Sequence, residues 1–166
     1  VELLVLDDTT VNALVAERQR LGLDRYDEVH TGRYVINPAP NSQHGHLVTE
    51  TGFYLRSICG DDEFVGDTIN VGGPDDYRVT DICVSTRAAM GSIWLSDGNC
   101  RVAGEVLSPG ERPLTKPDHY ATHGVGLYIE IDPTLETVHA RDLAGWQHSA
   151  SDVASALAEQ FHFTVT

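Results

Sequence analysis

Val102-Ala103-Gly104-Glu105-Val106-Leu107 and Val79-Thr80-Asp81-Ile82-Cys83-Val84 are two apolar runs of strand length, each interrupted by one carboxylate. Side chains alternate across a strand, so Asp81 shares a face with Val79 and Cys83, and Glu105 with Ala103 and Leu107. A carboxylate on an apolar face is costly unless a cation, a metal or a proton compensates it. Each acid taken alone also reads as a residue on the exposed face of an edge strand. Taken together, in strands that can be neighbours, they outline a site for a hard, oxygen-seeking divalent ion such as Mg²⁺ or Mn²⁺.

The next helical segment carries Lys116, the one lysine among the 11 lysines and arginines of the chain. An ammonium is a compact point charge whose pKa moves readily on burial, unlike the delocalised guanidinium. A chain that otherwise uses arginine and keeps one lysine downstream of two strand acids has the parts of a hydrolytic site. A chance survivor on a solvated helix is the alternative reading of Lys116 alone.

Outward from these segments, the 166 residues read as alternating helices and strand groups, an α/β (mixed α+β) pattern with a mixed central sheet. Thr9-Thr10 can cap a helix to about Leu21, with Gly22 as its stop. Tyr26–His30 and Arg33–Ile36 flank Thr31-Gly32 as a hairpin, ended by Asn37-Pro38-Ala39-Pro40. Ser42 opens a second helix, in which Leu47, Thr51, Tyr54, Leu55 and Ile58 share a face. Strands are expected near Phe64–Val71, Tyr77–Ser85 and Arg101–Leu107, with a turn at 72–76. A short helix from Lys116 to His123 follows, then strands at Val125–Ile131 and Leu135–Ala140. Ser151-Asp152 can cap a last helix to about Gln160, and Phe161–Val165 alternates as an edge strand would. No repeat or linker divides the chain, so one domain over residues 1–166 is expected.

The net charge of −14 argues against tight non-specific nucleic-acid binding, which relies on clustered Lys and Arg. It leaves room for phosphodiester chemistry through a bound divalent ion, which supplies positive charge locally. Cys59, Cys83 and Cys100 make no CxxC or zinc spacing and fit a reducing, cytoplasmic setting. No apolar run nears the roughly 20 residues of a membrane span, and no signal peptide is visible. His119 and His123 have metal-ligand spacing (i, i+4) but no HExxH-type acid, and read as surface residues. No P-loop, Rossmann or GxSxG fingerprint is present.

The ordered segments from about Tyr26 to Pro133 carry a resemblance. They are 26–32, Pro38-Ala39-Pro40 with His44, 77–81, Glu105-Val106-Leu107-Ser108-Pro109, Thr115-Lys116-Pro117 with Tyr120-Ala121, and Gly124-Val125 with Tyr128. In this order the chain resembles the Uma family of restriction-endonuclease-like proteins, within the PD-(D/E)xK nuclease superfamily. The resemblance implies a restriction-endonuclease-like core, a mixed sheet flanked by helices. It implies a Mg²⁺ or Mn²⁺ site on Asp81, Glu105 and the main-chain carbonyl of Val106, with Lys116 acting on the attacking hydroxide. Glu28 would complete the acidic cluster at the rim. The superfamily's lysine follows the second acid by two positions, where this chain has Leu107; Lys116 matches the family's shifted position. Thr80 replaces a proline usual before the first acid, Ile129 stands where an aromatic is expected, and Glu130 is an unusual acid in its strand. The segment from Trp146 onward matches weakly. His44 matches a family position and reads equally as a site residue or a surface one.

The expectation is therefore a Mg²⁺-dependent phosphodiesterase of endonuclease type. Its partner would be DNA, bound weakly and only with metal, and a homodimer is possible in architecture. Two rivals remain open: the same site acting on a peptide or small metabolite, and a non-catalytic interaction module.

Overall fold

The computed structural model describes residues 8–109 and 115–166. These form four helices, α1 (Asp8–Leu21), α2 (Ser42–Ile58), α3 (Lys116–Thr122) and α4 (Ala150–Phe161). Nine strands are described: β1 (Glu28–His30), β2 (Arg33–Val35), β3 (Glu63–Gly73), β4 (Asp76–Thr86), β5 (Trp94–Leu95), β6 (Cys100–Val106), β7 (Leu127–Asp132), β8 (Thr137–Asp142) and β9 (Thr164–Val165). They make one mixed sheet in the order β2-β1-β4-β6-β7-β8-β9, with β3 pairing β4 and β5 pairing β3. The expected mixed sheet with flanking helices is what the chain adopts.

β4 is the axis of the sheet. Its whole length pairs antiparallel with β3, from Asp76 opposite Gly73 to Thr86 opposite Glu63. Its other edge is shared by two strands. β6 takes the C-terminal half, with Ile82 opposite Gly104 and Cys83 opposite Ala103. β1 takes the N-terminal end, with Val29 opposite Tyr77. The Arg78 guanidinium secures that short contact by donating to the Val29 carbonyl at 2.7 Å. Residues 78–81 are left facing a gap between β1 and β6.

Alternation along β4 and β6 divides the core into two layers. Ile82, Val84, Val102 and Val106 point toward α2 and α4, where they meet Leu47, Leu55, Val153 and Leu157. Cys83, Ala103 and Tyr128 point the other way and pack with Val71, Leu95 and Tyr120. β6 is buried on both faces, so it reads as a continuous apolar run and not as alternation. Asp81 and Glu105 fall in the phase of Cys83 and Ala103, on the α3 side.

Several element ends differ from the sequence expectation. α2 does open at Ser42 as expected, with Asn41 as its cap, the Asn41 side chain accepting from the His44 N–H. α4 is capped by Ser149, accepting from the Asp152 N–H, which puts Ser151-Asp152 inside the helix. Thr9-Thr10 likewise lie inside α1. β7 and β8 start two residues later than expected, because Val125 and Gly126 are bonded to Tyr120 and Arg101. The turn after β3 is tighter than expected: Gly73 pairs with Asp76, leaving Pro74-Asp75 at the tip. Gly72 has φ +123, and a Cβ there would lie 2.3 Å from the Asp76 carbonyl oxygen. The edge pairing expected near the C-terminus is made by Thr164 and Val165, parallel to β8.

Gly104 lets β6 approach β4 beside the acids. A Cβ at this position would lie 2.6 Å from Ile82 Cγ2 on the packed α2–α4 side. Gly104→Ala is expected to cost about 1–3 kcal/mol of overpacking, read as a lowered urea midpoint with an unchanged m-value.

Candidate active site

The gap along β4 is closed by side chains. Val79 sits in the middle of it with its N–H and carbonyl turned away from β3's partner edge. Glu28 Oε1 accepts from the Val79 N–H at 3.0 Å, and Lys116 Nζ donates to the Val79 carbonyl at 3.3 Å. Two side chains thus take the place of the missing strand. They also bond each other, Lys116 Nζ lying 2.9 Å from Glu28 Oε1 and 2.7 Å from Glu105 Oε2. Tyr120 donates its hydroxyl to the other Glu105 oxygen, Oε1.

Asp81 stands beside this cluster. The β4–β6 register, extended one step past Ile82 and Gly104, brings Asp81 opposite Glu105. The ladder itself ends there, and Asp81 Oδ2 accepts the Val106 N–H at 2.8 Å in its stead. Asp81 Oδ1 lies 3.1 Å from His44 Nε2, which reaches in from the first turn of α2. The Nδ1 of His44 is buried without a protein partner.

The four expected site residues therefore converge. Glu28 departs from its expected place at the rim, being only 2% exposed. Asp81 is the more open acid. Glu28 is held deep because its neighbour Asp27, also buried, accepts from Arg18 at 2.6 and 2.8 Å, from the Tyr34 hydroxyl at 2.7 Å and from the Asn37 N–H at 3.2 Å. That network pins the β1–β2 hairpin to α1 and drives the next side chain into the gap. His30, two residues on and hence on the same strand face, pairs with Glu28 Oε2 at 2.7 Å. His119 is buried, correcting its reading as a surface residue. Its Nε2 lies 2.8 Å from the Val71 carbonyl and ties α3 to the end of β3. Among the described residues no contact joins His119 or His123 to Glu28, Asp81 or Glu105; the two ring centroids lie 4.5 Å apart with their planes tilted by 50°.

A pocket of about 220 Å³ opens over the cluster. Glu28, Asp81, Glu105, Val106 and Lys116 form its floor, and Tyr26, Pro38, Pro40, His44, Ser108 and Pro109 its walls. The roles of His30 and Tyr120 were not legible beforehand. His30 carried a signal, since a residue two after Glu28 in a strand must share its face. Tyr120 carried one as well, at i+4 from Lys116 on a helix.

Electrostatically the site is over-supplied with acid. Three carboxylates face one ammonium, an excess of two negative charges when all are ionised. Burial works against the charge on Lys116, yet Glu105 and Glu28 hold its pKa well above the ordinary value. Burial likewise opposes ionisation of Glu28, but the hydrogen bond from His30, the charge and bond of Lys116 and the Val79 N–H bring it down to about 2. Glu105 goes the other way. Its burial, only partly offset by Lys116 and reinforced by Asp81 and Glu28, pushes it up to about 8. In the metal-free protein Glu105 is the group that keeps a proton. An excess of two charges is also what a divalent ion would neutralise. Among the described residues no three His, Cys, Asp or Glu side chains cage an ion by themselves. Asp81 and Glu105 bring oxygen donors, the type that hard divalent ions take, into one pocket beside Val106.

Residues 18–161 match the family described as "Putative restriction endonuclease", Uma2. The chain belongs to this family. Among solved structures, it is similar to a "putative nuclease belonging to DUF820" from Anabaena variabilis ATCC 29413. The two share 18% identity with a TM-score of 0.64, over 82% of this chain and 89% of that one, which establishes a common fold. No curated protein matches the chain. No described helix is long and apolar enough to cross a membrane.

The opposed shifts of Glu105 and Glu28 give a signed pH dependence. Between about 4.5 and about 8 the folded metal-free protein holds a proton on Glu105 that the unfolded chain has released. Stability from this group is full below 4.5 and falls as pH rises toward 8. Glu28 acts oppositely: its contribution is present above 4.5 and is lost as pH falls toward 2. Melting temperatures of the metal-free protein should decline across the first window, and Glu105→Gln should flatten that decline.

Proposed function

We propose that the chain is a Mg²⁺- or Mn²⁺-dependent phosphodiesterase of the nuclease type, with Asp81, Glu105 and Lys116 as its reacting constellation. The observation that carries the reading is the only lysine of the chain, Lys116, bound to Glu105 at 2.7 Å and Glu28 at 2.9 Å at the floor of a pocket that also holds Asp81. A merely structural ion pair needs one partner acid, not a cluster with two charges in excess.

Asp81, Glu105 and the Val106 carbonyl would hold the ion. When bound, it lowers the pKa of water and neutralises charge on a scissile phosphate. Lys116 is kept protonated by its neighbours and so is an electrostatic guide for the nucleophile. Glu28 is saturated by His30, Lys116 and the Val79 N–H. Its pKa of about 2 makes it a poor base, and its part is to aim Lys116. His44, on Asp81, lines the pocket where a phosphate would enter.

The substrate is proposed to be DNA, held weakly and through the metal. Arg18, Arg20, Arg25 and Arg78 are each paired with a carboxylate, of Asp27, Glu17, Asp67 and Asp76 respectively. Arg112 lies outside the described residues. With four guanidinium groups so engaged and a net charge of −14 repelling phosphate, few phosphate contacts are expected and the salt slope of binding should be shallow. These pairings and the −14 charge also favour the second reading, a non-nucleic-acid substrate at the same site.

Plasmid, single-stranded DNA and RNA, each offered with Mg²⁺ or Mn²⁺, form the test. Wild type should cleave at least one, and chelation should abolish cleavage. Lys116→Met should retain the Mg²⁺-induced rise in melting temperature and lose turnover by roughly 10²-fold or more. Asp81→Asn should lose both. Metal binding without cleavage of any nucleic acid would transfer the site to a peptide or metabolite substrate, and absence of both would leave an interaction module.

A further inference from the structure

Tyr120 is 0% exposed and lies four residues after Lys116 on α3. Residues at that spacing share a helix face. Here they straddle one carboxylate, Lys116 Nζ meeting Glu105 Oε2 and the Tyr120 hydroxyl meeting Oε1. The Tyr120 ring is wedged among Val71, Cys83, Ala103, Val125 and Tyr128, its centroid 6.0 Å from that of Tyr128. A packed aromatic ring has a fixed position, so its hydroxyl oxygen is fixed too. The terminal torsion of a glutamate is by contrast broad and roughly two-fold. A buried phenol hydroxyl must also find a partner, and here the partner is the acid of the site.

We propose that Tyr120 is a positioning residue, whose hydroxyl locks the Glu105 carboxylate so that Oε2 is presented to Lys116. α3 thereby delivers the ammonium and the clamp as one rigid unit. The helix is itself anchored by His119 on the Val71 carbonyl, 2.8 Å away. The ionised form of Glu105 needed for metal binding then arrives already oriented, and the entropy of fixing it is met in folding. This second consequence rests on the metal reading given above, whereas the clamp itself does not.

Tyr120→Phe removes the hydroxyl and keeps the ring. It is compared with wild type, Glu105→Gln and the double variant in two measurements on the full chain. The first is Mg²⁺ affinity by calorimetry. Tyr120→Phe should weaken binding on the order of tenfold, as loss of an outer-shell partner does, and should add nothing in the Glu105→Gln background. The second is urea unfolding without metal, where the two substitutions should be non-additive. A hydroxyl acting independently of Glu105 would give additive losses, and a ring that merely fills space would give no loss on Tyr120→Phe; either result overturns the proposal, as does a Tyr120→Phe protein that binds Mg²⁺ as tightly as a metal-binding wild type. If wild type binds no Mg²⁺ while the metal-free cycle is still non-additive, the metal reading falls and the clamp on Glu105 stands.

Discussion

The structure depends on one buried ammonium. Lys116, its side chain 11% exposed, takes its three donors to Glu28, Glu105 and the Val79 carbonyl. Each partner comes from a different element: β1, β6 and β4. An ammonium in this setting is stable only while all three are in place, since a buried charge that loses its partner costs several kcal/mol. The ion cluster therefore ties the hairpin, the central strand, β6 and α3 together through one side chain. β1 needs such a link, for its ladder contact with β4 is the single pair Val29–Tyr77.

The same arrangement explains how a sheet can hold a pocket within its own plane. A continuous ladder would leave no polar backbone free at residues 78–81. Because β1 and β6 share one edge of β4 and do not meet, Val79 keeps its N–H and carbonyl for side chains, and the Val106 N–H is left for Asp81. Buried backbone groups must be satisfied, and here the groups that satisfy them are the ionisable residues of the site. Structural demand and chemical equipment coincide in three side chains, Glu28, Lys116 and Asp81. Removing one is thus a change in both, which is why metal-free stability and metal affinity have to be separated in any variant.

What was legible in the sequence was mostly local. Period-two alternation placed Asp81 with Cys83 and Glu105 with Ala103 on one face, and the register bears this out. The i, i+4 face of α2 through Leu47, Thr51 and Leu55 is its buried face. The uniqueness of Lys116 was visible at a glance. What was hidden depends on contacts distant in sequence. Glu28 looks like a hairpin acid until Asp27, tied to Arg18, Tyr34 and Asn37, fixes the direction of the next residue. His119 looks exposed because its acceptor, Val71, lies 48 residues away. β5, two residues long beside β3, has too few positions to show any period. The cap of α4 fell on Ser149 instead of Ser151-Asp152 because neighbouring serines could each have served, and only backbone geometry chooses among them.

Charge remains the point at which fold and function pull apart. A nuclease-family fold on a chain of net charge −14 approaches a polyanion against its own field. Four of the arginines that could offset this, Arg18, Arg20, Arg25 and Arg78, are paired with aspartates or a glutamate within the molecule. Positive potential near the pocket then has to be local, arising from Lys116 and from any cation the acids attract. On the proposed reading such a site would require the ion first: without it the acidic pocket would repel a phosphate, and a divalent cation would cancel the excess of charge. The acidity of the chain would then be no obstacle to phosphodiester chemistry, and would make it depend on the metal for binding as well as for catalysis.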